Sequence, residues 1–168
     1  VLAASSSTTI VGITNTSQCG VLNINNNIFR GTNSTATTGG FTAISNTGAV
    51  QTTLNINGNQ VGDVSGNAIT FSVATSGALT GITCPTIAAG AAMSISNNNF
   101  QGFVQNVPGT GGHTYISYTH SANSATTDNI NNNTFTNLVA NTSNGVSFII
   151  RSGTMAALAG ATDNCNNN

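Results

Sequence analysis

Lysine, glutamate and tryptophan are absent from this 168-residue sequence, and its charged side chains reduce to Arg30, Asp63, Asp128, Arg151 and Asp163. Charged residues thus make up 3% of the chain, far below the roughly 25% of an ordinary soluble domain. With two basic residues and a formal net charge of -1 there is no electrostatic footprint for a phosphate backbone, so nucleic acid is not an expected partner. No apolar run reaches the length of a spanning helix and no basic amphipathic helix is present, which argues against direct membrane insertion. Cysteine is scarce too: Cys19, Cys84 and Cys165 lack C-x-x-C spacing, which removes the usual zinc and dithiol motifs. Three thiols cannot all pair within one chain; they are expected to be mostly reduced, with Cys165 buried. Abundant Ser, Thr, Asn and Gly could describe a disordered linker, but hydrophobic residues make up 38% and gather in strand-like runs such as Phe148-Ile149-Ile150. A folded β protein fits better.

What the chain does have is an internal repeat. Four segments share one pattern, beginning Leu22-Asn23-Ile24, Leu54-Asn55-Ile56, Met93-Ser94-Ile95 and Asp128-Asn129-Ile130, and a fifth begins Asp163-Asn164-Cys165. The anchoring residues Ile24, Ile56, Ile95, Ile130 and Cys165 stand 32, 39, 35 and 35 positions apart. Alternation of apolar residues with Asn or Ser is the period of a strand, and the Asn, Gly, Thr and Val content disfavours the helices of α-solenoid repeats of similar length. A second strand run is expected at Ile10 to Thr14, Phe41 to Ser45, Ile69 to Val73, Thr114 to Tyr118 and Val146 to Ile150. Phe29, Val61, Phe100 and Phe135 open a third. The inward set is read as Leu22, Ile24, Phe29, Leu54, Ile56, Val61, Met93, Ile95, Phe100, Ile130, Phe135, Val146, Phe148, Ile150 and Cys165.

Between the strands the chain must turn sharply. Asn26-Asn27, Gly58-Asn59, Asn97-Asn98, Asn132-Asn133 and Asn167-Asn168 occupy those corners, where Asn and Gly tolerate the left-handed conformation. Stacked about 4.8 Å apart on successive coils, neutral amides can hydrogen-bond up the stack where like charges would repel. The sequence therefore predicts an all-β fold, a right-handed parallel β-helix of about five coils of 32 to 39 residues, the hand following from the rule for parallel crossovers. Because the fifth copy stops inside its motif, residues 1–168 are expected to form a single segment of a longer repetitive protein.

The recurring I-x-N-N-x-F motif resembles the parallel β-helix repeat of the pectin-lyase-like superfamily. Its Asn-, Thr- and Ser-rich, charge-poor form is similar to large secreted adhesins of Bacteroidota, including surface-motility filaments. The resemblance implies an extracellular, cell-surface structural role, with neighbouring repeats and surface glycans as partners, no cofactor and no catalysis. Two other readings share the fold: a carbohydrate-active enzyme, which needs a pair of carboxylates, and a glycan-binding phage-type fibre. The carboxylates worth weighing are Asp128 and Asp163, at equivalent repeat positions and expected to stack on adjacent coils at a solvated edge; they are the one candidate calcium site. His113 and His120 flank a strand with opposite parity, and are expected on the surface together with Arg30 and Arg151. The loops Thr32 to Gly40, Ser76 to Ala92 and Gln105 to Gly112 are the expected contact surfaces. Thr8-Thr9, Thr37-Thr38, Thr52-Thr53 and Thr126-Thr127 fall in different phases of the repeat, and so predict no threonine ladder of the kind that binds ice.

Overall fold

The computed structural model describes residues 7–64, 69–121, 126–153 and 161–168. The first coil holds β1 (Ile10–Asn15), β2 (Cys19–Asn23), β3 (Ile28–Phe29) and β4 (Thr32–Ser34), and the second β5 (Phe41–Asn46), β6 (Val50–Asn57), β7 (Gln60–Gly62) and β8 (Ile69–Phe71). The third comprises β9 (Leu79–Ile87), β10 (Ala92–Ser96), β11 (Asn99–Gln101) and β12 (Phe103–Gly109). The fourth comprises β13 (His113–His120), β14 (Thr127–Asn129), β15 (Thr134–Thr136) and β16 (Val139–Thr142). A partial fifth contributes β17 (Val146–Ser152) and β18 (Thr162–Asn164). Each strand lies beside its counterpart on the next coil and all these pairings are parallel, giving ladders β1-β5-β9-β13-β17, β2-β6-β10-β14-β18, β3-β7-β11-β15 and β4-β8-β12-β16. The first two ladders join into one sheet where Val50 meets Ile87. The fold is a parallel β-solenoid of four full turns and part of a fifth, with no helix among the described residues.

The anchors stack as their spacing requires: Leu22 on Leu54, Leu54 on Met93, Ile56 on Ile95 and Asp128 on Asp163. Phe29, Val61, Phe100 and Phe135 form the third ladder, and the Phe100 and Phe135 rings lie parallel with centroids 5.3 Å apart. The corners take the left-handed conformation at Asn26, Gly58, Asn97, Asn132 and Asn167, with φ between 54° and 67°.

Several expectations are corrected. Ile69–Phe71 belongs to the fourth ladder, and the first-ladder strand of the third coil is Leu79–Ile87. The three segments read as loops contain β4, β9 and most of β12, whose irregular patterns of polar and small residues hid their pairing. Along the first ladder the strict alternation breaks at one repeated place, where two successive residues face inward: Ala43-Ile44, Gly81-Ile82 and Tyr115-Ile116 are all buried. The pairing skips the first of each doublet, so side chains beyond it change parity. Ile149 thus packs against the core in register with Ile116, whereas Ile150 faces out opposite Ser117 and is 37% exposed. Val146 and Phe148 hold inward columns, above His113 and Tyr115, yet are half-exposed on the partial turn. Cys165 is exposed rather than buried. The other assigned core residues are buried, or partly buried against the core in the case of Leu22, Phe29 and Phe135.

Candidate functional site

The corner asparagines divide into two columns. The first residue of each pair supplies the left-handed bend; the second turns its carboxamide into the solenoid. Asn27 Nδ2 donates to Asn59 Oδ1, Asn59 Nδ2 to Asn98 Oδ1, Asn98 Nδ2 to Asn133 Oδ1 and Asn133 Nδ2 to Asn168 Oδ1, at 2.9–3.0 Å. The second N–H of Asn59, Asn98, Asn133 and Asn168 reaches the carbonyl of Ile24, Ile56, Ile95 and Ile130 respectively, on the preceding coil. Each acceptor oxygen also takes the backbone N–H of the ladder residue before it. The amides of Asn59, Asn98 and Asn133 therefore have all four hydrogen-bonding sites filled, and these residues are at most 1% exposed. A second, outer column runs through Asn25, Asn57, Ser96, Asn131 and Asn166, in which each side-chain oxygen accepts the backbone N–H on the next coil.

The titratable groups also lie inside. His120 is 0% exposed, and its Nδ1 sits 2.8 and 2.9 Å from the two oxygens of Asp128, itself 0% exposed. On the opposite edge of the ring Nε2 faces the Ala88 carbonyl at 3.1 Å. Both ring nitrogens thus face acceptors, an arrangement satisfied by the imidazolium, and the hydrogen bond to Asp128 raises the His120 pKa above its ordinary 6.5 despite burial. His113 is 1% exposed, with Nε2 2.6 Å from Gln105 Oε1 and its Nδ1 unpaired; burial lowers its pKa. The expectation that both histidines are surface residues fails because the inward doublet Tyr115-Ile116 lies between them and puts both ends of β13 on the core side.

Asp128 and Asp163 are in register as expected, but Asp128 is not at a solvated edge. Its carboxylate is engaged by His120, while Asp163 Oδ2 is paired with Arg151 Nε at 2.6 Å. Arg151 follows Ile150 into the inward phase opposite Tyr118, and is only partly exposed rather than solvent-facing. The Tyr118 hydroxyl lies 3.5 Å from Asp163, and burial followed by that carboxylate pushes the phenol upward. Arg30 is exposed as expected and bridges coils to Asp63 at 3.1 Å. Among the described residues no group of three or more His, Cys, Asp or Glu is placed to hold a metal ion. The three cysteines are free, and burial pushes the Cys84 thiol up to about 12. A pocket of about 450 Å³ over the partial turn is lined by Phe135, Phe148, Ile149 and Asn168, which continue the core columns.

Of the residues singled out from the sequence, the corner pairs fall together into one spine, and Asp128 and Asp163 share a ladder. His120 could not be recognised from sequence as the partner of Asp128, because their meeting depends on the parity change within β13. Comparison with family models, with curated proteins and with solved structures finds no match to this chain.

Proposed function

We propose that this chain is a structural and adhesive segment of an extracellular surface filament or giant adhesin, serving surface attachment or gliding motility. On this reading it is a member of the adhesin-like, pectin-lyase-type β-helices, and its partners are neighbouring repeats and surface glycans. The observation that carries the proposal is the saturated asparagine column: every coil is tied to the next by the same side-chain amide hydrogen bonds, the construction suited to transmitting tension along an axis. The charges support the same reading, since Asp63, Asp128 and Asp163 are each held by a cation of the protein itself rather than gathered at one open groove. Electron cryo-microscopy of the native cell-surface material tests it. Filaments containing this segment, with matching coils above and below at a rise of about 4.8 Å, are the expected result. A discrete capped particle that cleaves glycans would overturn the reading.

A further inference from the structure

The outer face of the first ladder carries a two-column lattice of hydroxyl groups. One column stacks Thr42, Thr80, Thr114 and Ser147 in register, and the other Thr14, Ser45, Thr83 and Ser117. Both columns face outward because the inward doublet lies between them: Thr42 is flanked by buried Phe41 and Ala43, and Ser45 by buried Ile44 and Asn46. The doublet that moves the histidines inward is therefore also what aligns these hydroxyls. Val11 and Ile150 close opposite corners of the array. None of the eight hydroxyls is taken up by a side-chain hydrogen bond among the described residues.

Three properties define what such a face can recognise. Its repeat along the solenoid is the strand spacing, about 4.8 Å, held rigid by continuous parallel pairing. Five of the eight are threonines, β-branched and stiff at χ1, so at those positions hydroxyl and methyl repeat with the backbone, while the three serines contribute a hydroxyl alone. Neither column contains a charged residue: Arg30 and Asp63 lie by the third ladder, His120 and Asp128 are buried, and the partly exposed Arg151, opposite buried Tyr118, is paired with Asp163. A neutral array of this repeat suits a periodic lattice of hydrogen-bonding oxygens, to which many weak contacts attach at once. Sugars are usually gripped by aromatic stacking, and none of the aromatic residues stands in either column.

We infer that the Thr42–Ser147 and Thr14–Ser117 columns form an ice-binding face, matching the oxygen rows of crystalline water. The threonine pairs visible in the sequence are not the ones that stack; the ladder is built from single residues whose phase only the coil register reveals. This inference goes beyond the filament reading and does not depend on it, since the face belongs to this chain whatever adjoins it.

Ice crystals grown in the presence of the 168-residue chain provide the test. The expected result is faceted crystals and thermal hysteresis from the wild type and from Asn106→Tyr, which alters an exposed position on β12. Both effects should be lost in Thr80→Tyr and Thr80→Lys, with an unchanged far-UV spectrum; the lysine variant covers the case in which tyrosine disturbs folding. Unshaped ice with the wild type, or full activity in a folded Thr80 variant, would overturn the inference. Retention on insoluble polysaccharide without ice shaping would likewise overturn it and assign the face to a glycan.

Discussion

A buried carboxamide is costly unless each of its donors and acceptors is matched, and Asn59, Asn98 and Asn133 meet that condition with bonds to the coils on either side. Their neighbours have a different task. Asn97 and its equivalents bend the backbone at positive φ, which Gly58 does equally well on the second coil. The two histidines are the residues through which pH reaches this core. His120 has a folded pKa above 6.5, so its contribution is complete below that pH and is lost as pH rises through the folded value. His113 has a folded pKa below 6.5, so its contribution is complete above that pH and is lost as pH falls toward the folded value. The two windows meet, and stability to urea is predicted to peak near pH 6.5. In His120→Gln the alkaline limb of the profile should flatten; in His113→Leu, which installs the residue found at Leu79 in the same column, the acid limb should flatten instead. Unchanged limbs in these variants would show that neither imidazole governs the profile.

At the scale of the strand, equivalent positions on successive coils show how the same place can be filled differently. His120 and Asp128 stack on Ile87 and Met93, which stack in turn on Val50 and Leu54. An ion pair in the fourth coil thus occupies a site that is apolar in the second and third. Breaking such a buried pair on one side strands a charge, at a cost of about 3–5 kcal/mol, whereas replacing both partners with well-packed apolar groups is often neutral or stabilising. Asp128→Met is accordingly predicted to lose about that much stability, and His120→Ile with Asp128→Met to unfold at or above the wild-type urea midpoint. A double variant as unstable as the single one would contradict this. The same strands show what the sequence made legible. The second and third ladders could be read because Leu54, Ile56 and Val61, with their counterparts, repeat next to an asparagine corner that fixes the register. The fourth ladder could not, since Thr32–Ser34 and Ile69–Phe71 share no side-chain pattern and pair only because the coil closes. The inward doublet was equally hidden: Gly81-Ile82 and Tyr115-Ile116 differ greatly in volume at their first position. Gly81 leaves room for the Phe100 ring, whose Cε1 would lie 2.4 Å from an added Cβ, while Tyr115 packs edge-on against that ring. Complementary sizes conceal a common backbone.

Taken whole, the molecule is close to one-dimensional: each coil touches the coils before and after it, so stability is a sum of coil terms and nearest-neighbour interfaces. The sheets alone would allow neighbouring strands to slip, because backbone bonds are the same in any register that keeps parity. The asparagine column removes that freedom, since each amide fits only its counterpart. The fold class was legible from this column because it is the one feature whose chemistry cannot vary from coil to coil. The hydroxyl face, where Thr and Ser alternate freely, left no comparable mark. The inward amides are therefore the spine of the stack, and urea unfolding of two adjacent variants tests this. Asn98→Ala leaves the backbone N–H and Nδ2 of Asn59 without their acceptor and is predicted to lose on the order of 4 kcal/mol, while Asn97→Gly, which only relaxes the corner, changes stability by less than about 1 kcal/mol. Equal midpoints for Asn98→Ala and the wild type would contradict the claim that the amide column holds coil to coil.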